Sequence, residues 1–469
     1  MDKGMRKTIV ICLLALAGCL SLSAADFEAE RLALRDSILS HVTGATLNQN
    51  EVLLSRFGAR GDSLTDCHPA FVKAMRYARK RGGAKIVLTE GVWLCRGPIH
   101  LVDNVTLVIR KGATLKFIAE PSAYLPVVET SWEGTYLWNY SPFIYGKGLR
   151  NVFIVGNGTI DGDAGETFST WHDRQSEGQN LSRQMNHTGV PVAERRFGQG
   201  FWLRPQLIQL YDCQNVTISS VFIRRSPFWC IHILDCRNVI LRGIRYDAKL
   251  VNNDGIDIES SQDILIDDIR FNNGDDNIAI KSGRDNDGWH LSQPSRNIVI
   301  RRCHFKGLHA LVIGSEMSGG VENVVVEHCG YYGYCKRGIF IKTNPDRGGF
   351  VRRLFVRDVH FGEVLDLFYV TSMYAGQGLD NHHFSAISQI HVDSLSARKV
   401  NGTALVLQGT PQLPLRDITF RRVEVDKAEN GLSFEHTAPV LLDSCFIGPR
   451  VGIPSQVSAK DKIFEQNNQ

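Results

Sequence analysis

One short pattern recurs along this chain: an Asn or Asp followed by a run in which apolar residues occupy alternate positions. The pattern is clearest at residues 213–218, 236–241, 261–266, 295–300 and 321–326. Its marker residues, separated by 23, 25, 34 and 26 positions, are Asn215, Asn238, Asp263, Asn297 and Asn323. A repeat of this length, with no helical pattern between the apolar runs, is typical of a solenoid.

Each repeat predicts a short β-strand, because β-branched residues alternate with polar ones and Asn, Gly or Asp closes the run. Stacking these strands gives an all-β fold, a single-stranded parallel β-helix with Ile, Val and Leu inside and loops of variable length outside. The alternative, a β-sandwich or a β-propeller, does not explain why the same kind of dipeptide precedes the same strand in each repeat.

Composition agrees with one large unit, since the repeat crosses the midpoint of the chain. The 469 residues are 43% apolar and 22% charged, which is enough for a substantial core. We expect a lead-in segment at residues 26–50, the β-helix at 51–450 and a polar tail at 451–469. The net charge of +4 is small and says little about partners. We expect no nucleic-acid partner, and we expect a monomer.

The first residues, 1–25, predict a targeting segment. Lys3 and two further cations precede an apolar run at residues 9–22, which is too short to span a membrane stably. Residues 23–25 offer a small-residue cleavage site, whereas residues 16–19 resemble a bacterial lipoprotein signal that would leave Cys19 as a lipid anchor. Both alternatives stay open, and both predict a bacterial protein outside the cytoplasm: periplasmic, anchored to the outer membrane, or secreted.

A capping helix is predicted ahead of the first coil. Residues 69–80 carry Phe71, Val72 and Met75 at helical spacing. Asp66 precedes them as a plausible N-cap. Because a solenoid needs its first coil covered, we expect this helix to cover it.

The cysteines give little indication of cross-linking. Without Cys12 and Cys19 nine remain, and an odd number cannot all pair. Cys213 and Cys236 occupy equivalent places in successive repeats, where free thiols pack as small apolar groups. We therefore expect mostly buried, free cysteines.

Four segments place polar residues at one common offset. Each has an apolar-x-apolar core, at residues 256–258, 278–280, 311–313 and 339–341. Two residues before these cores stand Asp254, Asp276, His309 and Arg337. Neighbours in such a column lie about 4.8 Å apart on successive coils. We therefore expect acids, a histidine and cations to share one surface patch, the candidate active site.

This patch suits the hydrolysis of a glycosidic bond with inversion. That reaction needs a carboxylic acid to protonate the leaving oxygen and a carboxylate to activate water, roughly 6.5–9.5 Å apart. Asp254 and Asp276 share one column, so we expect them to share the attacking water, whereas Asp275 is offset by one residue and points elsewhere across the cleft. Packing three carboxylates this closely raises one pKa, as a general acid requires. No metal-ligand spacing is evident, so no metal or other cofactor is expected.

These segments resemble those of glycoside hydrolase family 28, the polygalacturonases and their relatives, and the bacterial branch in particular. The segments similar to the catalytic motifs of that family are Asn252-Asn253-Asp254, Gly274-Asp275-Asp276, Leu308-His309-Ala310 and Phe340-Ile341-Lys342. Further similarity lies at residues 57–62, 156–162, 226–232 and 313–320, so that it covers roughly residues 50 to 430. The resemblance implies a right-handed β-helix that hydrolyses α-galacturonosyl linkages in pectic polysaccharides or oligogalacturonides.

By position, the resemblance also implies roles for single residues. It implies that Asp275 is the general acid and that Asp254 with Asp276 holds the attacking water. His309 matches the histidine that supports protonation of the acid, and Lys342 matches the lysine that binds a substrate carboxylate.

One departure from the family pattern bears on the substrate. The arginine of the Arg-Ile-Lys motif is replaced by Phe340, which cannot pair with a carboxylate. Arg337 lies three residues earlier but in the Asp254 column, so it does not simply take that place. A phenyl ring would rather face the apolar side of a sugar. An alternative function is therefore a rhamnogalacturonan hydrolase that cleaves galacturonate–rhamnose bonds.

Two further side chains are candidates for substrate binding. His232 lies in the outward column one coil before the acids, next to a neighbouring subsite, and Lys281 follows the catalytic strand near the non-reducing end of the substrate. We expect exo action, with the insertion at residues 163–205 closing one end of the cleft.

Two other classes of function are less favoured. A pectate lyase on the same scaffold would require calcium ligands and a basic residue that abstracts a proton. A non-catalytic polysaccharide-binding β-helix would not need three acids at one place. The sequence therefore favours a hydrolase.

Overall fold

The computed structural model describes residues 24–44, 47, 50–375, 382–449 and 461–463. Its helices are α1 (Ala24–His41), α2 (His68–Lys80), α3 (Ser176–His187) and α4 (Asp285–Leu291), and short 3₁₀ helices are Leu54–Phe57, Pro121–Tyr124, Phe168–Arg174 and Val192–Glu194. The strands of the first half are β1 (Glu51–Leu53), β2 (Asp62–Asp66), β3 (Ala84–Leu88), β4 (Gly91–Cys95), β5 (Ile99–His100), β6 (Val105–Ile109), β7 (Ala113–Phe117), β8 (Val128–Trp132), β9 (Thr135–Asn139), β10 (Ile144–Lys147), β11 (Arg150–Gly156), β12 (Thr159–Asp161), β13 (Ile208–Tyr211), β14 (Gln214–Ser219) and β15 (Phe222–Arg224). The remaining strands are β16 (Ile231–Leu234), β17 (Arg237–Arg242), β18 (Arg245–Asp247), β19 (Ile256–Glu259), β20 (Gln262–Asp267), β21 (Asp276–Lys281), β22 (Ser295–Arg301), β23 (Gly307–Gly314), β24 (Val321–Lys342), β25 (Phe350–Thr371), β26 (Ala386–Gln408), β27 (Arg416–Glu435), β28 (Val440–Asp443), β29 (Phe446–Pro449) and β30 (Asp461–Ile463).

The strands stack coil on coil into a right-handed parallel β-helix, which confirms the predicted fold. One sheet, the site sheet, contains β5, β10, β13, β16, β19, β21, β23 and the last parts of β24 to β27. A second, the ladder sheet, contains β1, β3, β6, β11, β14, β17, β20, β22, the first parts of β24 to β27, and β28. The third sheet begins with β2, β4, β7, β12, β15 and β18.

Apolar residues form continuous columns inside the coils. Ile256, Ile278, Leu311 and Ile339 pair in succession across the site sheet, and each is at most 1% exposed. Alternation along each strand therefore sends the residues at odd offsets from these positions, including Lys281, Phe340 and Lys342, to the outer face.

The marker residues of the repeat form a hydrogen-bonded ladder along the ladder sheet. Asn151, Asn215 and Asn238 adopt left-handed backbone conformations, with φ of 57°, 62° and 57°, which Asn tolerates better than most residues. The Asn215 amide donates to Asn151 Oδ1 over 2.8 Å, and the Asn238 amide donates to Asn215 Oδ1 over 2.7 Å. The amide chain is interrupted at Asp263, because a carboxyl group has no N–H to donate. The buried Asn238 Oδ1 accordingly has no partner in the described structure. It resumes where Asn297 donates to Asp263 over 2.9 Å.

Helix α2 covers the first coil, as predicted. Phe71 and Met75 face the core and are buried. Val72 was predicted to do the same but is 45% exposed, and Ala74 packs inward in its place. Asp66 accepts a hydrogen bond from the His68 N–H over 3.0 Å, so it caps the helix from one position earlier than an N-cap residue.

The lead-in segment forms helix α1, which lies across the outer face of the ladder sheet. Phe27 and Ile38 of α1 are buried against an outward-facing apolar row made of Leu265, Val299, Val325 and Phe355. The Phe27 and Phe355 ring centroids lie 5.8 Å apart, and Arg31 forms a buried ion pair with Glu327. Helix α1 therefore removes from water an apolar stripe that the β-helix would otherwise expose.

The remaining predictions about organisation have mixed outcomes. All nine cysteines of the described residues are free and buried, as expected. Residues 1–23, including Cys19, lie outside the described residues, and no helix of the described part is long and apolar enough to cross a membrane. In the predicted polar tail, β30 pairs antiparallel with β28, so this part of the tail belongs to the ladder sheet.

The amide ladder makes a testable contribution to stability. Replacing Asn215 with Ala removes two ladder hydrogen bonds and places Cβ-bearing Ala at φ 62°. We expect a loss of about 1–3 kcal/mol in the free energy of unfolding, measured by chemical denaturation. Asn215→Gly is the matched control, because it tolerates this φ and loses only the hydrogen bonds, so it should be the less destabilised variant. Equal stability of both variants and the parent would show that the ladder contributes nothing.

Candidate active site

The site sheet brings the predicted column of polar residues into register. Asp276 pairs with His309 on the next coil, and His309 pairs with Arg337 on the coil after that. Asp254 lies in the turn just before β19, one coil earlier. The column continues to Asp366, which was not predicted as a site residue.

Buried asparagines hold the turns that carry the acids. The Asn253 amide donates to two backbone carbonyls of the preceding coil, over 2.9 and 3.0 Å. The Asn273 amide donates to the carbonyls of Asn253 and Asp276, over 2.9 Å in each case, and Asn277 donates to Asn273 Oδ1 over 2.8 Å. These positioning residues were not predicted, although asparagines beside each acidic turn were the signal for them.

Asp276 is the most strongly compensated acid of the site. Its carboxylate lies 2.6 Å from His309 Nδ1 and 3.1 Å from Lys342 Nζ, and it is 1% exposed. Burial raises the pKa of Asp276, but the Lys342 ammonium and the His309 ring outweigh burial, so the pKa lies below its usual value. Asp276 is therefore held as a carboxylate, the form that a general base needs.

Asp275 has the opposite tendency. Burial and the neighbouring Asp276 charge raise the pKa of its carboxyl above the usual value. Its Oδ1 accepts the Asp276 backbone N–H over 3.0 Å, and its Oδ2 accepts from the Asn252 amide over 3.3 Å. The pKa values of these two adjacent carboxyls are thus shifted in opposite directions, so that one suits a general acid and the other a general base.

The spacing of these two acids differs from the expected one. A carboxylate oxygen of Asp275, one of Asp276 and a ring nitrogen of His309 lie within 4.8 Å of one another. This is shorter than the roughly 6.5–9.5 Å common in inverting glycosidases. The distance between Asp275 and Asp276 therefore does not itself indicate inversion.

Asp254 is less suited to the ionised state than predicted. It is 4% exposed, and burial, followed by the charges of Asp257, Asp275 and Asp276, raises its pKa well above the usual value. Of the two acids predicted to hold the water, Asp276 is thus the better base.

Residues far apart in the sequence enclose a cavity of about 270 Å³ over these acids. The tip of the β8–β9 hairpin supplies Glu133, and helix α3 supplies Arg183, which donates to Glu133 Oε2 over 2.8 Å. The Arg284 Nε donates to the Glu133 carbonyl over 3.0 Å, and its Nη2 donates to Glu316 over 2.8 Å. The hairpin and α3 therefore form a wall on the side of the earlier coils. Glu133 and Arg183 were missed because they lie in insertions with no repeat pattern.

Lys281 lines this cavity, next to the acids, which is where its position after the catalytic strand predicts it. Its ammonium lies 3.0 Å from Glu316 and 3.8 Å from Asp257, and the side chain is 5% exposed. Lys281 is thus already paired with protein carboxylates, and most of it is shielded from the cavity.

His232 does not reach the cavity, contrary to its predicted place beside a subsite. It pairs with Asp257 in the outward column, but the β8–β9 hairpin covers this part of the sheet and leaves His232 0% exposed. His232 Nε2 lies 2.8 Å from Glu259, and Nδ1 lies 3.0 Å from the Gln209 amide. It belongs to a buried polar network beneath the hairpin.

Phe340 likewise does not offer its ring face to a ligand. It is 2% exposed, because His309, Tyr369 and Tyr374 surround it at centroid distances of 5.4, 5.4 and 6.2 Å. The Arg337 guanidinium lies 4.5 Å from the ring centroid. The prediction that Phe340 contacts a rhamnose is therefore wrong, since other side chains cover the ring.

Among the described residues, one group of side chains could supply three metal ligands: Asp275, Asp276 and His309. Lys342 already places a positive charge 3.1 Å from Asp276. The negative charge of these potential metal ligands is thus compensated by Lys342, a cation of the protein itself.

The sequence profile of the glycosyl hydrolases family 28 matches residues 98–438, which is most of the chain. The chain belongs to this family. It is therefore a glycoside hydrolase, as predicted.

Known proteins resemble the chain over most of its length. A probable polygalacturonase of Vitis vinifera is 30% identical over 389 residues, covering 79% of this chain and 73% of that protein. An endo-polygalacturonase of Pectobacterium carotovorum subsp. carotovorum is 27% identical, covering 59% of this chain and 65% of that protein. The crystal structure of a hyperthermoactive exopolygalacturonase from Thermotoga maritima superposes with a TM-score of 0.85 at 34% identity, covering 92% of this chain and 100% of that one.

Proposed function

We propose that this family 28 hydrolase removes single galacturonate residues from the ends of pectic galacturonan chains, with inversion. The observation that supports exo action most directly is the wall formed by the β8–β9 hairpin and α3. Arg284 ties the wall to the site sheet, since its backbone N–H donates to the Gly134 carbonyl over 2.9 Å and its Nε donates to the Glu133 carbonyl. A groove closed at one end admits a chain end but not the middle of a polymer.

In this proposal Asp275 protonates the leaving oxygen while Asp276 takes the proton of the attacking water. The glycosidic C–O bond breaks as a new C–O bond forms from water on the opposite face of the sugar. Asp254, with its raised pKa, holds the water as a neutral hydrogen-bonding group. His309 keeps Asp276 ionised, and Lys342 shares that task and faces the carboxylate of the sugar.

We propose that the sugar on the leaving-group side of the cleaved bond is an acidic sugar rather than rhamnose. The buried Phe340 removes the argument for an apolar leaving-group site, and the relatives named above are polygalacturonases. We also propose that the protein is a bacterial monomer. Residues 1–25 direct it out of the cytoplasm, to the surroundings in which pectic polymers occur.

Product analysis tests exo action. On polygalacturonate we expect monomeric galacturonate from the first minutes, with little loss of viscosity. Asp275→Asn, which keeps the shape of the side chain but cannot act as an acid, should lower kcat by roughly 10²–10⁴-fold. A rapid fall in viscosity with mixed oligomers would contradict exo action, and release only from rhamnogalacturonan would contradict the substrate.

The stereochemistry is tested by time-resolved proton NMR. Inversion at an α-linkage should give β-galacturonate first, followed by mutarotation to the equilibrium mixture. The short spacing of Asp275 and Asp276 makes this measurement decisive, and an α-anomer formed first would show retention.

Lys342 should set the acidic limb of the pH profile. Asp276 works as a carboxylate, so activity is lost as the pH falls through its pKa, which Lys342 lowers. Lys342→Met removes that cation, so the pKa should rise and the acidic limb of kcat/KM should move to higher pH. Lys342→Arg, which retains the charge, should move it less. An acidic limb at the same pH in Lys342→Met would exclude Asp276 as the base that sets it.

A further inference from the structure

Arg337 has a guanidinium that the protein holds in place but that makes few polar contacts with the protein. Arg337 lies one coil beyond His309, on the side away from the wall. Its Cζ is 4.5 Å from the Phe340 ring centroid and 4.4 Å from that of Tyr369. The two rings stand at 89° to each other, so they form a corner in which the guanidinium rests.

An ion pair fixes the inner edge of this guanidinium. Arg337 Nε lies 3.2 Å from Asp366 Oδ2, although the N–H does not point well enough at the oxygen to count as a hydrogen bond. Asp366 is itself held, because its Oδ1 accepts the Thr403 backbone N–H over 3.1 Å. Arg337 is thereby pre-organised, which lowers the entropy cost of binding a ligand.

The outer edge of the guanidinium has no such partner. Among the described residues, Nη1 and Nη2 of Arg337 make no hydrogen bond, and the side chain keeps 19% of its surface exposed. Among the buried unpaired atoms of the described residues, Arg337 contributes only its Nε, so the outer N–H groups are accessible to a ligand. Parallel N–H groups on a fixed guanidinium match the two oxygens of a carboxylate.

Arg337 is not aligned with the motif position that Phe340 occupies. It pairs in register with His309, whereas Phe340 pairs with Val312. Phe340 acts as a buried support whose ring lies within 5.5 Å of both Arg337 Cζ and Lys342 Nζ. The Arg337 guanidinium, which belongs to the column of His309, therefore lies over the Phe340 ring, where the arginine of the family motif would extend from the strand.

We propose that Arg337, supported by Phe340, Tyr369 and Asp366, binds the carboxylate of the sugar on the open side of the bond that is cut. This inference rests on the proposed function, because the wall leaves only this side for the rest of the polymer. It identifies the leaving group as an acidic sugar, and it makes Arg337 a specificity-determining residue and not a catalytic one.

Two substrates separate this role from a general structural one. Digalacturonate carries a carboxylate on its leaving sugar, whereas p-nitrophenyl α-D-galacturonide carries none on its leaving group. Arg337→Gln should lower kcat/KM for digalacturonate by roughly 10- to 100-fold and change kcat/KM for the nitrophenyl substrate less than about twofold. Arg337→Lys, which keeps the charge but not the paired donors, should lie between the parent and Arg337→Gln.

Arg352 supplies a matched control on another part of the protein. Its guanidinium lies 4.5 Å from the Phe350 ring centroid and 2.6 Å from Glu322, on the ladder sheet. Arg352→Gln removes the same kind of stacking and ion pair, so both substrates should be cleaved as by the parent.

The outcomes distinguish the two levels of the proposal. Equal losses on both substrates in Arg337→Gln, or no loss on either, would overturn the role of Arg337 while leaving exo-galacturonate hydrolysis intact. A parent protein that cleaves neither substrate would overturn the proposed function and this inference together.

Discussion

Parallel strands on successive coils pair through evenly spaced backbone hydrogen bonds, and a slip of one residue would turn every side chain to the opposite face. The continuous inner column of Ile256, Ile278 and Leu311 makes such a slip costly, because it would expose apolar side chains along a whole sheet. The same register places Asp276 beside His309, and His309 beside Arg337. The chemistry on the outer face thus depends on packing on the inner face.

Charge compensation then decides what each acid of the site can do. Asp276 and Asp275 are adjacent in sequence and both lie in a region of low solvent access, but Lys342 and His309 contact Asp276. The pKa of Asp276 is therefore lowered and that of Asp275 raised. Two identical side chains acquire opposite properties because one of them lies in the column of the cations and the other does not.

Insertions between coils convert an open sheet face into a pocket. The β8–β9 hairpin and α3 contribute no inner strand, yet Glu133 and Arg183 line the cavity over the acids. The hairpin also buries His232 and Glu259, a pair that would otherwise lie on an open surface. On the side of the later coils Tyr374 lines the cavity, and Arg337 lies over aromatic rings. The difference between the two ends gives the groove its direction.

Periodic features of the sequence predicted much of this structure. The Asn markers and the alternating apolar residues led to the β-helix and to the column of Asp254, Asp276 and His309, and the helical spacing of Phe71 and Met75 led to the capping helix, since each depends on residues close in sequence or at a fixed repeat. The same argument failed for Phe340, because exposure depends on neighbours such as Tyr374 that belong to a later coil.

The sequence by itself therefore determined the fold and the row of acids, because backbone pairing and apolar burial repeat with every coil. Only the tertiary structure decided which side chains line the cavity and which are buried. The wall formed by Glu133 and Arg183, the burial of His232 and the corner that holds Arg337 arise from segments far apart in the chain. Contacts between such segments follow from the three-dimensional path of the loops, which no local periodicity encodes.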